Sequence, residues 1–179
     1  DEAESLKKTT RSKTGQSVNQ YYGLAAIDLF QEEDFAADGS LVNGIPEHSF
    51  GVVKPGDIRY EDTNKDGKID SYDYHPIGKP SVPEIVYGFG FSAQYKSFDL
   101  SAFFQGATSF AVMIQGDMLI PGSGGGGLSN IYSNCDSRWD PENPYNENVM
   151  WPRLSVNKSA NNMLYSTWWL KDASYIRLK

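Results

Sequence analysis

The residues whose types and spacing could bind a metal ion lie between residues 62 and 73, where acidic and amide side chains occur at every second position from Asp62 to Asp66 and Asp70 and Asp73 close the run. They match the D-x-[DN]-x-[DN]-G pattern of a calcium loop, whose ligand positions fall on Asp62, Asn64, Asp66, Lys68, Asp70 and Asp73. Calcium takes about 6–8 oxygen ligands, and a curling loop turns alternate side chains toward the ion. Lys68 would contribute only its backbone carbonyl, and Gly67 would supply the positive φ at which the loop reverses. The spacing therefore predicts a structural Ca2+ site.

This loop departs from an EF-hand at its last position, where Asp73 stands in place of glutamate. The shorter carboxylate predicts monodentate binding, and hence weaker calcium affinity or some tolerance of magnesium. The alternative interpretation is a polar surface turn, because Asn, Asp, Gly and Lys form turns without a metal. Three prolines and a glycine between Tyr74 and Pro83 exclude a following helix. The loop is thus predicted to lie on a scaffold that is not helical.

The clearest element is an alternation of apolar with small or polar residues from Ile85 to Gln105. Two strands of about ten residues, joined near Lys96-Ser97, predict a β-hairpin with Phe103 interrupting its polar face. Long alternating strands with aromatic ends and a tight turn are typical of an outer-membrane β-barrel. A soluble β-sandwich hairpin alternates in the same way and stays an alternative. The predicted fold class is mainly β, with antiparallel hairpins and long irregular loops.

The domain organisation follows from what flanks this hairpin. Residues 1–18 are polar and predict a tail, whereas 19–179 predict a single β-rich unit. Residues 106–165 are predicted to form a long extracellular loop. Compact domains rarely tolerate a connection of this length, whereas outer-membrane barrels have such loops on their extracellular side. The run Gly122-Ser123-Gly124-Gly125-Gly126-Gly127 is interpreted as flexible loop, since no Gly-Lys-Ser/Thr follows to cradle a phosphate.

Composition excludes several classes of function. The net charge of −7 argues against nucleic acid, because no basic stripe is present to displace counterions. A single cysteine, Cys135, and two distant histidines, His48 and His75, exclude disulfide frameworks and multi-Cys or His-rich metal sites. No pair of carboxylates can be assigned acid and base roles, and no Ser-His-Asp or Cys-His set is evident. The chain is therefore predicted not to be an enzyme.

Several motifs in a fixed order resemble one family, the SusC/RagA-type TonB-dependent outer-membrane transporters of Bacteroidetes. The resemblance covers roughly residues 20–179, and its one small departure is Ala173, where family members usually have glycine. The motifs are Gly56-Asp57-Ile58-Arg59-Tyr60 with loop 62–73, Ile77-Gly78 with Pro80, Tyr87-Gly88, Tyr95-Lys96-Ser97-Phe98-Asp99-Leu100-Ser101, Phe103-Phe104-Gln105-Gly106, Arg138-Trp139 with Pro141-Glu142-Asn143-Pro144, Pro152-Arg153, and Ala173-Ser174-Tyr175-Ile176-Arg177-Leu178-Lys179.

This resemblance implies a partial barrel from the C-terminal part of a longer nutrient importer in the bacterial outer membrane. Such importers move glycans or peptides, work with a SusD-like surface lipoprotein and draw energy through TonB. An isolated segment would expose unpaired strand edges, so we expect it to oligomerise on its own.

A different class of function stays open at this stage. The chain could instead be a soluble, calcium-stabilised carbohydrate-binding module, in which aromatic rings stack on sugars. The candidate platforms are Trp139, Trp151, Trp168 and Trp169. Packing inside loops or anchoring at an interface is the more usual role of such residues, and we favour it here.

Overall fold

A computed structural model describes residues 2–114, 121, 131–146, 148–155 and 159–179, and this part of the chain is mainly β. The strands are β1 (Tyr21–Gly23), β2 (Ala26–Leu29), β3 (Glu47–His48), β4 (Ile58–Tyr60), β5 (Lys68–Ile69), β6 (His75–Ile77), β7 (Ile85–Tyr95), β8 (Phe98–Thr108), β9 (Ala111–Met113), β10 (Leu170–Asp172) and β11 (Tyr175–Leu178). Short 3-10 helices lie at Glu32–Asp34, Ser71–Asp73, Ser133–Asp136 and Asn161–Met163. The predicted mainly β, antiparallel fold class is confirmed. One pairing differs, because β3 and β5 run parallel.

A three-stranded antiparallel sheet, in the order β11-β8-β7, is the longest regular feature. Strands β7 and β8 pair along their full 11 residues, from Ile85 opposite Thr108 to Tyr95 opposite Phe98. The turn between them is short because Lys96 takes a left-handed φ of 55°. β11 pairs with the far end of β8, beginning with Tyr175 opposite Ala107. The predicted hairpin therefore forms, and β8 runs to Thr108, three residues beyond the predicted end.

This sheet has one apolar face, which we call the outer face. Because paired residues share a face, the register places the odd residues of β7 beside the even residues of β8 and β11. The outer face carries Ile85, Tyr87, Phe89, Phe91, Ala93, Tyr95, Phe98, Leu100, Ala102, Phe104, Gly106, Thr108, Ile176 and Leu178. It is largely uncovered, with Phe91 55% and Leu100 61% exposed. The opposite face is mostly small or polar.

Aromatic side chains cover the glycines of this sheet. Gly90 lies opposite Phe103, and a Cβ on Gly90 would lie 3.1 Å from the Phe103 ring. The same ring would lie 3.0 Å from a Cβ on Gly88. On the outer face, the Tyr87 ring fills the space above Gly106, its cross-strand partner. Phe103 therefore interrupts the polar face because it shields two glycines, a device that stabilises glycine-containing strands.

The remaining strands form a compact unit at the end of the sheet away from the Lys96-Ser97 turn. We call this unit the cap: residues 20–80 together with the described part of 109–174. Its core unites both segments and contains Leu24, Leu29, Ile58, Tyr60, Ile69, Trp139, Trp151 and Trp169. The segment before β7 and the described part of the connection between β8 and β11 both lie in the cap.

Some predicted regions differ from what the structure describes. Residues 106–165 are not one irregular loop, because β8 continues to Thr108, β9 follows at Ala111–Met113 and Trp151 joins the core. The glycine-rich run at 122–127 lies outside the described residues. Residues 2–18 hold turns without strands. In the described ranges, no helix has the length and apolar content needed to cross a membrane.

Candidate functional site

A buried turn at Gly56-Asp57 joins the two halves of the cap. Gly56 has a φ of +82°, and a Cβ there would overlap the Trp139 ring and lie 2.9 Å from Cβ of Arg153. Only glycine combines that conformation with such close packing. The Arg153 amide donates to the Gly56 carbonyl at 2.8 Å. Motifs about a hundred residues apart in the chain therefore meet at this turn.

Asp57 is fully buried and carries the main charge of this junction. Arg153 Nε lies 2.7 Å from Asp57 Oδ1, and its Nη2 donates to Oδ2 at 3.1 Å, so the guanidinium holds both oxygens. Asn162 Nδ2 also donates to Oδ1, at 2.8 Å, and the Lys54 amide donates to Oδ2 at 2.9 Å. A buried carboxylate is tolerated only with such pairing and hydrogen bonding.

Two adjacent asparagines complete the edge of β4. Asn162 Oδ1 accepts from the Ile58 amide at 2.9 Å, while Asn161 Nδ2 donates to the Ile58 carbonyl at 2.7 Å. Together these side chains replace a neighbouring strand, because β4 pairs with β2 only on its other edge. Neither asparagine was predicted as buried, since polar residues in a predicted loop carry no periodic signal of burial.

His48 lies in the same interior, between Phe30 and Tyr60. Its Nδ1 lies 2.9 Å from Asn161 Oδ1. Burial lowers the pKa of His48 below its ordinary value of 6.5, while the contact with Asn161 and the charge of Asp57 act in the opposite direction. Burial also raises the pKa of the Tyr60 phenol, whose hydroxyl donates to the Asn161 carbonyl at 2.8 Å. The junction therefore favours a neutral imidazole and a neutral phenol.

The calcium-type loop is held by hydrogen bonds between its own side chains and backbone. Asp62 accepts from the amides of Lys65 at 2.7 Å and Gly67 at 2.8 Å, and Asn64 accepts from the Asp66 amide at 2.9 Å. Asp66 accepts from the Lys68 amide at 2.9 Å, and Asp70 accepts from the Tyr72 amide at 2.6 Å. Asp73 is buried and accepts from the amides of Thr63 and Asp70, both at 2.9 Å.

These contacts decide how the predicted ligands are arranged. As predicted, Gly67 has a positive φ of 86°. Ile69 is fully buried beneath the loop. The side-chain oxygens of the predicted ligands, however, accept backbone N–H groups rather than converging on a point. Among the described residues, no group of three or more His, Cys, Asp or Glu side chains is placed to hold a metal ion. Calcium binding by this loop stays a prediction.

A groove of about 490 Å³ opens on the cap between β2 and residues 144–146 and 149. Its walls include Ile27, Asp28, Tyr145 and Trp168. A second depression of about 290 Å³ shares Val149 and Trp168 with the groove and reaches Lys171. Concave surfaces that combine apolar walls with a few polar groups are where proteins bind small ligands.

The four tryptophans considered as sugar platforms have different surroundings. Trp139, Trp151 and Trp169 are buried in the cap core, so they cannot stack on a ligand. Trp168 is half-buried and lines the groove, with its indole N–H donating to the Met150 carbonyl at 3.2 Å. The carbohydrate-module interpretation therefore loses three of its four platforms.

Comparison with known proteins places this chain beside membrane receptors. No family model matches it. It is 24% identical over 173 residues to TonB-dependent receptor P3 of Formosa agariphila, a match covering 97% of this chain and 15% of that protein. It is 29% identical over 173 residues to TonB-dependent receptor P26 of the same organism, covering 95% of this chain and 16% of that protein.

A solved structure agrees at the level of the fold. The RagAB peptide importer in its closed-closed state has a TM-score of 0.51 to this chain and 20% identity. That match covers 89% of this chain and 15% of the importer chain. The resemblance to TonB-dependent receptors is confirmed, and the chain spans about 15% of the length of the proteins it matches. Both sequence relatives are named receptors rather than enzymes, in agreement with the predicted lack of catalysis.

Proposed function

We propose that this chain, which resembles TonB-dependent receptors over nearly its whole length, is a segment of a SusC/RagA-type importer of glycans or peptides in the bacterial outer membrane. The whole importer would work with a SusD-like lipoprotein and with TonB. In this proposal the three-stranded sheet is part of the barrel wall, and the cap forms extracellular loops.

The observation that carries the proposal is the uncovered outer face of the sheet. Strands of 11 residues at about 3.3 Å each are roughly 36 Å long. Tilted by about 45°, such strands span roughly 25 Å, the height of the apolar band of an outer-membrane barrel. Exposed apolar residues on one face and small or polar residues on the other match lipid outside and lumen inside.

The position of the cap supports one orientation of the sheet in the membrane. Barrels have short periplasmic turns and long extracellular loops. The Lys96-Ser97 turn is short, while the segment before β7 and the described part of the connection between β8 and β11 lie at the opposite end of the sheet. The turn would therefore face the periplasm, and the cap would face the cell exterior.

Single cysteines in the full-length receptor would test this assignment in cells, with Cys135 replaced by serine. Phe91→Cys and Ser92→Cys are neighbours on opposite faces of β7 and form a matched pair. We expect a lipid-soluble maleimide to label the Phe91→Cys variant, whose cysteine lies on the outer face. A small polar maleimide should label the Ser92→Cys variant, whose cysteine it reaches through the lumen. Polar labelling of both positions, or recovery of the protein in a soluble fraction, would contradict the proposal.

A further inference from the structure

An exposed turn of the cap contains Asn43, the one asparagine in the sequence that is followed by glycine. The Ile45 amide closes this turn by donating to the Val42 carbonyl at 3.3 Å. Gly44 has a φ of +98°, the left-handed value that the third position of a type II turn requires. Asn43 and Gly44 are both exposed, so the centre of the turn is open to water.

The backbone amide of Gly44 is free to react. Among the described residues no acceptor takes its N–H, and the Asn43 carboxamide makes no hydrogen bond there either. Apart from its two chain neighbours, no heavy atom would lie within 4 Å of a Cβ on Gly44. Neither a side chain nor a hydrogen bond therefore holds the Gly44 nitrogen away from the Asn43 carboxamide.

A neighbouring turn also carries a glycine, but the amide of that glycine is occupied. The Gly39 amide donates to the Ala36 carbonyl at 2.8 Å. The side chain before it, Asp38, accepts from the Ser40 amide at 3.0 Å and from the Ser40 hydroxyl at 2.6 Å. Attack of the Gly39 nitrogen on the preceding side chain would have to break these hydrogen bonds, whereas the Gly44 amide has none to break.

We propose that Asn43 is a site of spontaneous deamidation through a cyclic imide. The Gly44 nitrogen attacks Cγ of Asn43. Its proton passes by way of water to the side-chain nitrogen, which leaves as ammonia. Water then opens the ring at either carbonyl and leaves aspartate or isoaspartate at position 43. No oxidant or reductant is needed, and water is the only other reagent.

The products would change the loop that carries this turn. The Val42 amide donates to the Asp34 carbonyl at 3.0 Å and so ties the turn to the acidic segment Glu32–Asp34. Aspartate at position 43 would add a negative charge to this loop. Isoaspartate routes the backbone through the side chain and adds a carbon to it, which should weaken the hydrogen bond between Val42 and Asp34.

Peptide mapping by mass spectrometry would test the proposal on the purified full-length receptor, aged in mildly alkaline buffer and digested in acid. We expect the peptide that contains residue 43 to accumulate both aspartate and isoaspartate, because direct hydrolysis of the amide would give aspartate alone. The matched control is Asp38→Asn, which gives the neighbouring turn the same pair of residue types. In this variant, position 38 should react about two- to tenfold more slowly than position 43, the effect of one hydrogen bond on a rate.

The same variant aged in urea supplies the reference rates, because unfolding frees both glycine amides. There we expect positions 38 and 43 to react at similar rates. Absence of isoaspartate at position 43 would overturn the inference, and so would equal or faster reaction at position 38 in the folded variant. A difference that persists in urea would overturn it as well, because the local sequence and not the folded turn would then set the rate.

Discussion

Arg153 holds a buried carboxylate that lies 96 residues earlier in the chain. Removing the guanidinium would leave Asp57 charged and without compensation in the interior, at a cost of about 3–5 kcal/mol. We therefore expect Arg153→Met in the full-length receptor to lower the protection of β4 amides by that free energy, measured by hydrogen–deuterium exchange.

The matched control for this substitution is Arg138→Met. Arg138 is exposed, and within the described ranges its guanidinium makes only a 3.5 Å hydrogen bond with the Cys135 carbonyl. Its loss should change protection by less than about 0.5 kcal/mol, as for most surface substitutions. Equal effects at the two positions would show that the ion pair with Asp57 is not what stabilises the cap.

His48 makes the same junction sensitive to pH. Since burial lowers its pKa in the folded state below 6.5, folding favours the neutral imidazole. This stabilisation is complete above pH 6.5 and is lost as the pH falls toward the folded-state pKa. We expect the protection of β4 amides, corrected for intrinsic exchange, to decrease between pH 7 and about pH 5. In His48→Gln this decrease should be smaller, and an unchanged pH profile in that variant would contradict the prediction.

At the scale of elements, Gly106 is constrained by its neighbours on both sides. A Cβ there would overlap the Tyr87 ring and lie 2.7 Å from the Tyr175 carbonyl oxygen, which belongs to backbone and cannot turn away. Gly106→Ala should therefore lower the free energy of unfolding by about 1–3 kcal/mol, as overpacking does, and weaken the pairing of β11 with β8. Faster exchange of β11 amides would report this.

Gly88→Ala is the comparison for this glycine. The nearest atom to a Cβ at 88 is Phe103 Cζ at 3.0 Å, the far end of a ring that can shift. We expect Gly88→Ala to lower the free energy of unfolding by less than Gly106→Ala does. The reverse order would show that crowding against the backbone does not decide the effect.

The calcium-type loop gives a second prediction at this scale. Calorimetric titration of the protein with calcium should show binding with a dissociation constant of about 10⁻⁴–10⁻³ M, the range of weaker calcium sites. Asp66→Asn should weaken it, because a charged ligand is lost. Lys68→Met should have no effect, because this residue would offer only its carbonyl. Absence of heat at millimolar calcium would leave the loop as a turn held by its own amides.

The hairpin and the cap differ in how far the sequence predicts them. Alternation with a period of two is local, so β7, β8 and their turn follow from adjacent residues. The junction is not local, because Ile58 meets the side chains of Asn161 and Asn162 more than a hundred positions away. Family motifs singled out Asp57 and Arg153, but nothing local indicated that they would pair. Likewise, the groove arises only when β2, residues 144–146 and 149, and Trp168 come together.

The whole molecule combines a self-contained cap with an incomplete sheet. The cap has a buried core and a buried polar junction around Asp57, whereas the outer face exposes large apolar residues on three strands. Within the described residues, strands β7 and β11 each pair on one side only, which leaves backbone donors and acceptors free to pair with another chain. These two features predict how the polypeptide would behave outside a membrane.

We expect the isolated polypeptide 1–179 to associate in detergent-free buffer, through its outer face and through the free edges of β7 and β11. Light scattering after size-exclusion chromatography would measure this. Phe91→Ser with Leu100→Ser removes two large apolar residues of the outer face and should reduce association. Ser92→Ala with Ser101→Ala changes the opposite face and should not. A monomeric wild-type polypeptide with cooperative thermal unfolding would mean that the sheet needs neither lipid nor neighbouring strands, and would weaken the assignment of this face to the membrane.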